Sequence, residues 1–418
     1  MAITITKPKG TQDIFGPQAA LWQYVEGKIR NVAALFAIEE IRTPIFENVE
    51  LFVRSVGEAT DIVQKEMYTF TDAGGRTYAL TPEGTAPTVR AYLENSLHNL
   101  PMPAKFYYVC HNFRAERQQK GRYRQFRQFG VEYFGSYSAA ADAELISVAH
   151  LLLTQLDIEN FVLRINSIGD KTCREAYNEA LLTFLDGHKD NLCGLCQERM
   201  GKNPMRVLDC KNPACGAIVS GAPVPLDHLS AEAAAHFEEL QRCLTLLGIP
   251  FVVDKTIVRG LDYYTRTVFE FTSADLGAQS AICGGGRYDN LIESHGGQPT
   301  GAVGFGMGIE RLLIILEEQG KLPQISQEVT VFLGGMGEAG AKKARLLAHQ
   351  LRQSGISAIC DLTDRSIKAQ MKYADKLGAK YSLVIGESEL ETGVLAVKCM
   401  ENGQVVQVQI DKIMEHFA

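Results

Sequence analysis

Leu21, Val25, Ile29, Val32 and Phe36 recur at helical spacing, so residues 18–38 are predicted to form an amphipathic helix with one apolar stripe. Residues 41–45 read as a strand that Pro44 confines to an edge or an interface. The runs 67–70 and 77–80 flank Asp72-Ala73-Gly74-Gly75 and predict a hairpin. Residues 106–110 and 126–134 are aromatic and strand-like, with a polar, basic loop between them. Several strands in succession favour an antiparallel sheet over an alternating βαβ sheet. From about 170 to 250 the texture turns helical, Ala-rich and cysteine-bearing, and reads as an insertion because strand-like sequence resumes at Val252 and at 267–271. Residues 301–306 form a last glycine-rich strand that leads into a helix over 308–318. Beyond Leu322-Pro323-Gln324, strands at 329–333, 357–360 and 381–385 alternate with helices at 338–353 and 366–377, the pattern of a small α/β domain with a mainly parallel sheet. The expected fold class is α+β: an antiparallel core over 1–325 with a helical insertion at 170–250, and a second domain over 327–418.

Composition narrows the class. The 418 residues are 46% apolar and 22% charged, which excludes a disordered chain. The net charge of −7 argues against a protein that coats nucleic acid and leaves room for local basic faces. One such cluster runs from Lys105 to Arg127; a second comprises Lys342, Lys343, Arg345, Lys368, Lys372, Lys376 and Lys380. A charge cluster is most often a solvated helix face, but two far apart in sequence suit one large polyanion. The N-terminus has no signal-peptide pattern, and apolar runs such as 312–316 are too short to span a membrane, so a cytoplasmic protein is expected. Ten cysteines then read as reduced thiols. Cys193 and Cys196 have zinc-knuckle spacing and Cys210 and Cys215 come close to it; the alternative is four small apolar fillers, and no residue is assigned to a metal.

Candidate chemistry starts on the strand at 126–134. Alternation puts Arg124, Phe126, Gln128, Gly130 and Glu132 on one face, with Gln128 and Glu132 roughly 13 Å apart. A solvent-facing strand would also show this pattern, but Gly130 would leave floor space for a small polar ligand held at both ends. The preceding loop, with Arg114, Arg117 and Arg122, is dense in groups that grip phosphate bidentately, and Phe126 offers a flat surface for a base. Arg311 closes Gly306-Met307-Gly308-Ile309-Glu310, a strand that runs through glycines into a helix N-terminus, although glycine turns with a surface Arg are common. In Arg259-Gly260-Leu261-Asp262-Tyr263-Tyr264 an Arg could hold a carboxylate or α-phosphate and a tyrosine a ring nitrogen; tyrosine is equally a core residue. Cys283-Gly284-Gly285-Gly286-Arg287-Tyr288-Asp289 reads as a glycine turn without the helix and acid of a dinucleotide fingerprint.

These segments resemble a known family. Arg114-Ala115-Glu116 followed by Gly121-Arg122-Tyr123-Arg124-Gln125-Phe126 looks like motif 2 of class II aminoacyl-tRNA synthetases. The glycine-rich run ending at Arg311 looks like motif 3, and the Pro44 region resembles motif 1, which in the family lies at the dimer interface. Arg259-Gly260-Leu261-Asp262-Tyr263-Tyr264 and Gly284-Gly285-Gly286-Arg287-Tyr288-Asp289 resemble the two signatures of histidyl-tRNA synthetases, and the likeness covers nearly the whole chain, least of all 193–215. The resemblance implies a ligase that activates L-histidine with ATP to histidyl-adenylate and pyrophosphate, then transfers histidine to the 3′-terminal adenosine of tRNA(His). It implies that Glu83, Gly84, Thr85 and Gln128 hold the α-amino group, and that Glu132 and Tyr264 read the imidazole with Tyr263 lining the pocket. Arg259 would touch the carboxylate and α-phosphate; Arg114 would grip the α-phosphate; Glu116 and Phe126 would bind adenine; Arg122 and Arg311 would reach the outer phosphates. Arg259, Arg114 and Arg311 are thus the expected catalytic groups. The family further implies a homodimer, Mg2+ accompanying ATP, and a C-terminal domain that binds the anticodon. Two rivals remain: the synthetase-like regulatory subunit of ATP phosphoribosyltransferase, which lacks that domain and loses catalytic residues, and another class II synthetase such as the prolyl or threonyl enzyme, against which the Arg259 signature argues.

Overall fold

Pro17, its backbone pre-shaped for a first turn, begins helix α1 (Pro17–Leu35). Val25, Ile29 and Val32 of the expected stripe are buried, joined by Trp22 and Ala33; Leu21 and Phe36 lie at its margin. The structure, a computed structural model, describes residues 5–58, 60–208, 210, 212–257, 261–277, 280–325 and 329–417. It divides into two compact units, Met1–Pro323 and Gln324–Ala418.

In the first unit the chain continues through β1 (Glu39–Glu40), β2 (Phe46–Asn48), α2 (Val49–Val56), β3 (Thr69–Thr71), β4 (Thr77–Leu80), α3 (Thr85–Glu94), β5 (Ala104–Phe113), β6 (Gln125–Phe134), α4 (Ala139–Gln155) and β7 (Phe161–Ser167). Four helices follow, α5 (Lys171–Asp186), α6 (Gly194–Lys202), α7 (Pro213–Val219) and α8 (Ala231–Leu246). Then come β8 (Phe251–Val253), β9 (Thr265–Ser273), β10 (Ala281–Arg287), α9 (Leu291–Ser294), β11 (Ala302–Gly308) and α10 (Ile309–Glu318). Eight strands make one sheet in the order β1-β5-β6-β11-β10-β9-β7-β8. It is antiparallel except at its two ends, where β1 pairs with β5 and β7 with β8 in parallel. Strands β2, β4 and β3 form a separate antiparallel sheet, its hairpin closed by Asp72, whose Oδ1 accepts from the backbone N–H groups of Gly74 and Arg76 at 2.9 Å.

Two expectations need correction. Residues 41–45 are not a strand: Ile41 N–H still donates to Tyr107 O at 2.8 Å, but Pro44 has no N–H to continue a ladder, and pairing restarts at Phe46 opposite Leu80. Residues 283–287 are not a turn but the body of β10, a central strand whose glycines are paired on both sides, Gly286 with Val268 and Gly304 and Gly284 with Glu270 and Gly306. Glycine in a strand marks close approach by something else, and the site below shows what approaches.

The second unit contains β12 (Val331–Gly335), α11 (Gly337–Gln353), β13 (Ala358–Cys360), α12 (Ile367–Lys376), β14 (Tyr381–Ile385), α13 (Glu387–Thr392), β15 (Val394–Cys399), β16 (Val405–Gln409) and α14 (Ile413–Phe417). Its sheet runs β13-β12-β14-β15-β16, parallel over the first three strands as expected and antiparallel over the last two.

One buried polar network ties the first unit together. Arg287 on β10 is fully buried and donates from Nε to Asp142 Oδ1 of α4 at 2.8 Å and from Nη1 to Asp289 Oδ1 at 2.7 Å. Asp142 also accepts from Thr267 Oγ1 at 2.6 Å and contacts His236 Nε2 of α8 at 2.9 Å. Removing one partner of a buried charge pair typically costs about 3–5 kcal/mol because the other charge stays in the dry interior. Asp142→Ala is therefore expected to lower the urea midpoint of the first unit markedly. An unchanged midpoint would remove this network from the account of stability.

Candidate active site

The sheet register assembles a side-chain-poor strip at its centre. Across the strands, Tyr108 of β5 faces Gly130 of β6, Gly130 faces Gly306 of β11, and Gly306 faces Gly284 of β10. One step along, Glu132 faces Gly304, which faces Gly286. Alternation places these residues on one face and Phe129, Phe305 and Phe269 on the other, where they pack in the core under α1, α4 and α10. Nearby polar side chains occupy the space the glycines leave. A Cβ at 304 would lie 1.7 Å from Glu132 Oε2, and one at 306 would lie 2.0 Å from Gln128 Nε2.

Glu132 is the centre of this face. It has no exposed surface, and its carboxyl meets three hydroxyls: Thr85 Oγ1 at 2.8 Å, Tyr108 Oη at 3.0 Å, and Tyr288 Oη. Each comes from a different place in the chain, the start of α3, the middle of β5 and the turn after β10. Burial raises the Glu132 pKa to about 8, and the three hydroxyls only partly oppose it. When neutral, the carboxyl must donate one of the three bonds and accept the others; when ionised it accepts all three.

Glu83 lies next to Thr85. Its two oxygens accept from the Thr85 and Ala86 backbone N–H groups, both at 2.8 Å, and burial raises its pKa despite them. This is an acidic side chain over the first turn of a helix, where the backbone dipoles favour it. Gly84 lies directly against Tyr108: a Cβ there would be 2.2 Å from the ring. Gln128 Oε1 accepts from Asn112 Nδ2 at 2.6 Å. Tyr263 is buried with its ring centroid 5.5 Å from that of Tyr288 and 4.7 Å from that of Tyr264, while Tyr264 lies over Gly286. Glu83, Gly84, Thr85, Gln128, Glu132, Tyr263 and Tyr264 thus cluster on one side of the strip. Arg259 lies outside the described residues.

The guanidinium groups gather beyond Gln128. Arg114 Nε donates to Pro82 O at 2.9 Å, and its guanidinium lies over the Phe126 ring, 5.3 Å from the centroid. Arg122 Nη1 donates to Glu116 Oε2 at 2.8 Å. Arg311, at the start of α10, donates from Nε to Gly121 O at 3.3 Å, which ties it to the loop between β5 and β6. Burial first, then the Arg122 and Arg114 charges, lower the Arg311 pKa, while Glu116 and Glu270 oppose them. Arg122 and Arg114 thus add positive charge around Arg311, and Glu116 and Glu270 counter it.

One detail departs from expectation. The room at Gly130 is not an open floor, because Tyr108 fills it; a Cβ there would be 2.1 Å from Tyr108 Cζ. The Arg114 guanidinium lies over one face of Phe126. Tyr108, Asn112 and Tyr288 are parts of the site that residue pattern alone does not single out. Tyr108 and Asn112 act through cross-strand register, which a sequence does not spell. Tyr288 was within reach, as the residue after Gly284-Gly285-Gly286-Arg287.

The raised Glu132 pKa has a consequence for stability. The folded chain keeps a proton at Glu132 that the unfolded chain releases above its ordinary pKa of 4.5. This group's contribution is therefore full below pH 4.5 and is lost as the pH rises to about 8. Glu132→Gln, neutral throughout, is expected to show a flatter decline in Tm across that interval. A variant whose Tm falls as steeply as the parent's would place the responsible proton on another group.

Comparison with known proteins places the chain in a family. A family model described as Histidyl-tRNA synthetase matches residues 10–312, and one described as Anticodon binding domain matches 328–418. The histidine–tRNA ligase of Thermoanaerobacter pseudethanolicus is 50% identical over 407 residues, 97% of each chain. That of Caldicellulosiruptor saccharolyticus is 48% identical over 412 residues, 99% of this chain and 98% of the relative. The crystal structure of apo histidyl-tRNA synthetase from S. aureus superposes with a TM-score of 0.85 at 38% identity, covering 99% of this chain and all of the other. With both of its units matched and its length spanned end to end, the chain belongs to the histidyl-tRNA synthetase family.

Proposed function

We propose that the chain is a histidine–tRNA ligase that activates L-histidine with ATP and then esterifies tRNA(His). The observation that carries this reading is the buried Glu132 carboxyl, ringed by the Thr85, Tyr108 and Tyr288 hydroxyls, a short way from three clustered arginines in a chain of this family. Such a slot suits a small ring with polar nitrogens. An apolar analogue of similar size would strip water from the polar groups that line the slot without offering them a bond, and a site built on hydrogen bonds can reject such an analogue by about 10⁴–10⁵-fold. In this reading Glu132 and Tyr264 take the imidazole and Tyr263 lines the pocket, while Glu83, Gly84, Thr85 and Gln128 surround the α-amino group.

In the first step the histidine carboxylate attacks the α-phosphorus in line, and pyrophosphate leaves. No side chain becomes a covalent nucleophile; the residues hold both reactants and neutralise charge at the transferring phosphorus. Arg114 and Arg259 serve the α-phosphate, with Arg259 also reaching the histidine carboxylate. Glu116 and the free face of Phe126 hold the adenine, and Arg122 and Arg311 hold the outer phosphates. The Glu270 carboxylate, close enough to Arg311 to act on its charge, is an oxygen donor of the kind Mg2+ prefers and would hold the ion that accompanies ATP, which would neutralise charge on the phosphates. In the second step a ribose hydroxyl of the terminal adenosine attacks the activated carbonyl and releases AMP. Residues 1–325 would carry both steps, with the 170–250 insertion among them, and 327–418 would read the anticodon.

A homodimer fits the small sheet. Phe46 and Phe70 are both more than two-fifths exposed, and Phe46 lies edge to face with Phe70 and with Tyr78, an apolar patch just after Pro44 that a second copy would cover. A cytoplasmic site of action follows from the substrate, and no helix among the described residues is long and apolar enough to cross a membrane.

ATP–pyrophosphate exchange measured with each of the twenty amino acids is expected to respond to histidine alone. Exchange driven by proline or threonine, with none from histidine, would reassign the chain within its class. Arg114→Ala and Arg259→Ala should each lower kcat for exchange by about 10²–10³-fold, the usual cost of a lost charge-stabilising donor, while histidine binding stays measurable by calorimetry. Exchange at close to the parental rate in either variant would remove that arginine from the chemistry.

A further inference from the structure

The inserted helices contain a second constellation that the ligase reaction does not use. Cys193 caps the N-terminus of α6, Cys196 sits in its first turn, Cys210 precedes α7 and Cys215 lies within it. Their four sulfurs all lie within 4.8 Å of one another. The Cys193 and Cys210 sulfurs are 3.9 Å apart, too far for a disulfide and in van der Waals contact. Four thiolates around one zinc ion at 2.3 Å would be about 3.8 Å apart along each edge of the tetrahedron. The spacing is therefore that of a single-ion cage, with no room for a multi-iron cluster.

Backbone geometry supports the same reading. Cys193 N–H donates to Cys215 Sγ at 3.3 Å and Asn212 N–H to Cys210 Sγ at 3.5 Å, contacts that favour thiolates and orient them. Cys196 and Cys215 are fully buried and Cys193 and Cys210 partly so, which gives a shielded site that solvent ions can still reach. The need for a staple is also evident. The α6 and α7 helices are nine and seven residues long, too short to persist alone, and the local core has eight buried members, of which Cys196 and Cys215 are two.

We propose that Cys193, Cys196, Cys210 and Cys215 bind one structural zinc ion that clamps α6 to α7. The clamp positions the segment between them. Asn203 Nδ2 and Arg206 Nη2 donate to Asp262 Oδ1 at 3.0 and 3.3 Å, and Arg199 Nη2 to Asp61 Oδ2 at 3.3 Å. Asp262 immediately precedes Tyr263 and Tyr264, so the zinc holds the outer side of the slot assigned above to the imidazole; this second role rests on that assignment, and the metal site itself does not.

The test uses the full chain, purified under reducing conditions without chelator, incubated with zinc chloride and desalted. Elemental analysis is expected to give about one zinc per chain, and cobalt(II) in its place the visible and near-ultraviolet bands of a tetrahedral tetrathiolate. C193S and C210S, at the two partly exposed positions, should lose the metal, while C243S on α8 retains it. Less than about a tenth of an equivalent of zinc in the parent, iron in its place, or a cobalt spectrum without thiolate bands would overturn the proposal. Should the serine variants fold poorly, the parent's zinc content and cobalt spectrum decide alone. Removing zinc is also expected to raise KM for histidine several-fold with a smaller change in kcat; a loaded protein whose KM is indifferent to zinc removal would keep the site and discard its link to Asp262.

Discussion

The structure of the face that holds the candidate site depends on one constraint: a fully buried carboxyl on a central strand must find hydrogen-bond partners within the protein. Glu132 meets it with hydroxyls from Thr85, Tyr108 and Tyr288. Two of those are tyrosines, so room for two rings and a carboxyl had to be made on a sheet whose neighbouring positions would ordinarily carry side chains. Gly130 and Gly84 admit Tyr108, Gly304 admits the carboxyl, and Gly286 admits Tyr264. Gly130, Gly84 and Gly304 thus make the room in which the acid and one of its tyrosine partners are buried. The antiparallel register is what brings Gly130, Gly304 and Gly286 into adjoining rows.

Periodicity made a large part of this legible and register made the rest invisible. The α1 stripe and the alternation of Gln128, Gly130 and Glu132 follow from spacing alone, because 3.6 and 2.0 are local properties of the chain. The strand at β10 was not legible, because three glycines in a row say turn as readily as close packing, and only the strands on either side decide it. The β15–β16 hairpin is different: Asn402-Gly403 between alternating apolar runs is a signal the sequence does offer, although it is absent from the elements predicted above. Within the candidate site, Tyr108 and Asn112 enter from β5 through cross-strand neighbours. Arg114 on the face of Phe126 is likewise a side-chain choice that composition does not reveal.

Electrostatics divides the face into two halves of opposite character. Around Glu132 and Glu83 the acids are buried and their pKa values raised. Around Arg311 the bases are crowded and its pKa is lowered. Burial thus disfavours the ionised acids in one half and the charged Arg311 in the other. In the proposed reaction a zwitterionic amino acid beside a polyanionic nucleotide would relieve both costs at once, its ammonium and basic ring toward the acids and the phosphates toward the arginines. In the proposed reaction the two substrates are drawn together by the same field that sets their orientation.

The strands of the main sheet also keep two jobs on separate residues. Gln128, Gly130 and Glu132 of β6, Gly284 and Gly286 of β10, and Gly304 and Gly306 of β11 lie on the face of the candidate site, and residues of the opposite face such as Phe129 and Phe305, whose rings meet edge to face at 5.4 Å, supply cohesion. Robustness and catalysis can accordingly drift apart over evolutionary time. A lineage adapting to heat has an aromatic underside to remodel, while on the upper surface rings and polar side chains already fill the gaps that the glycines leave.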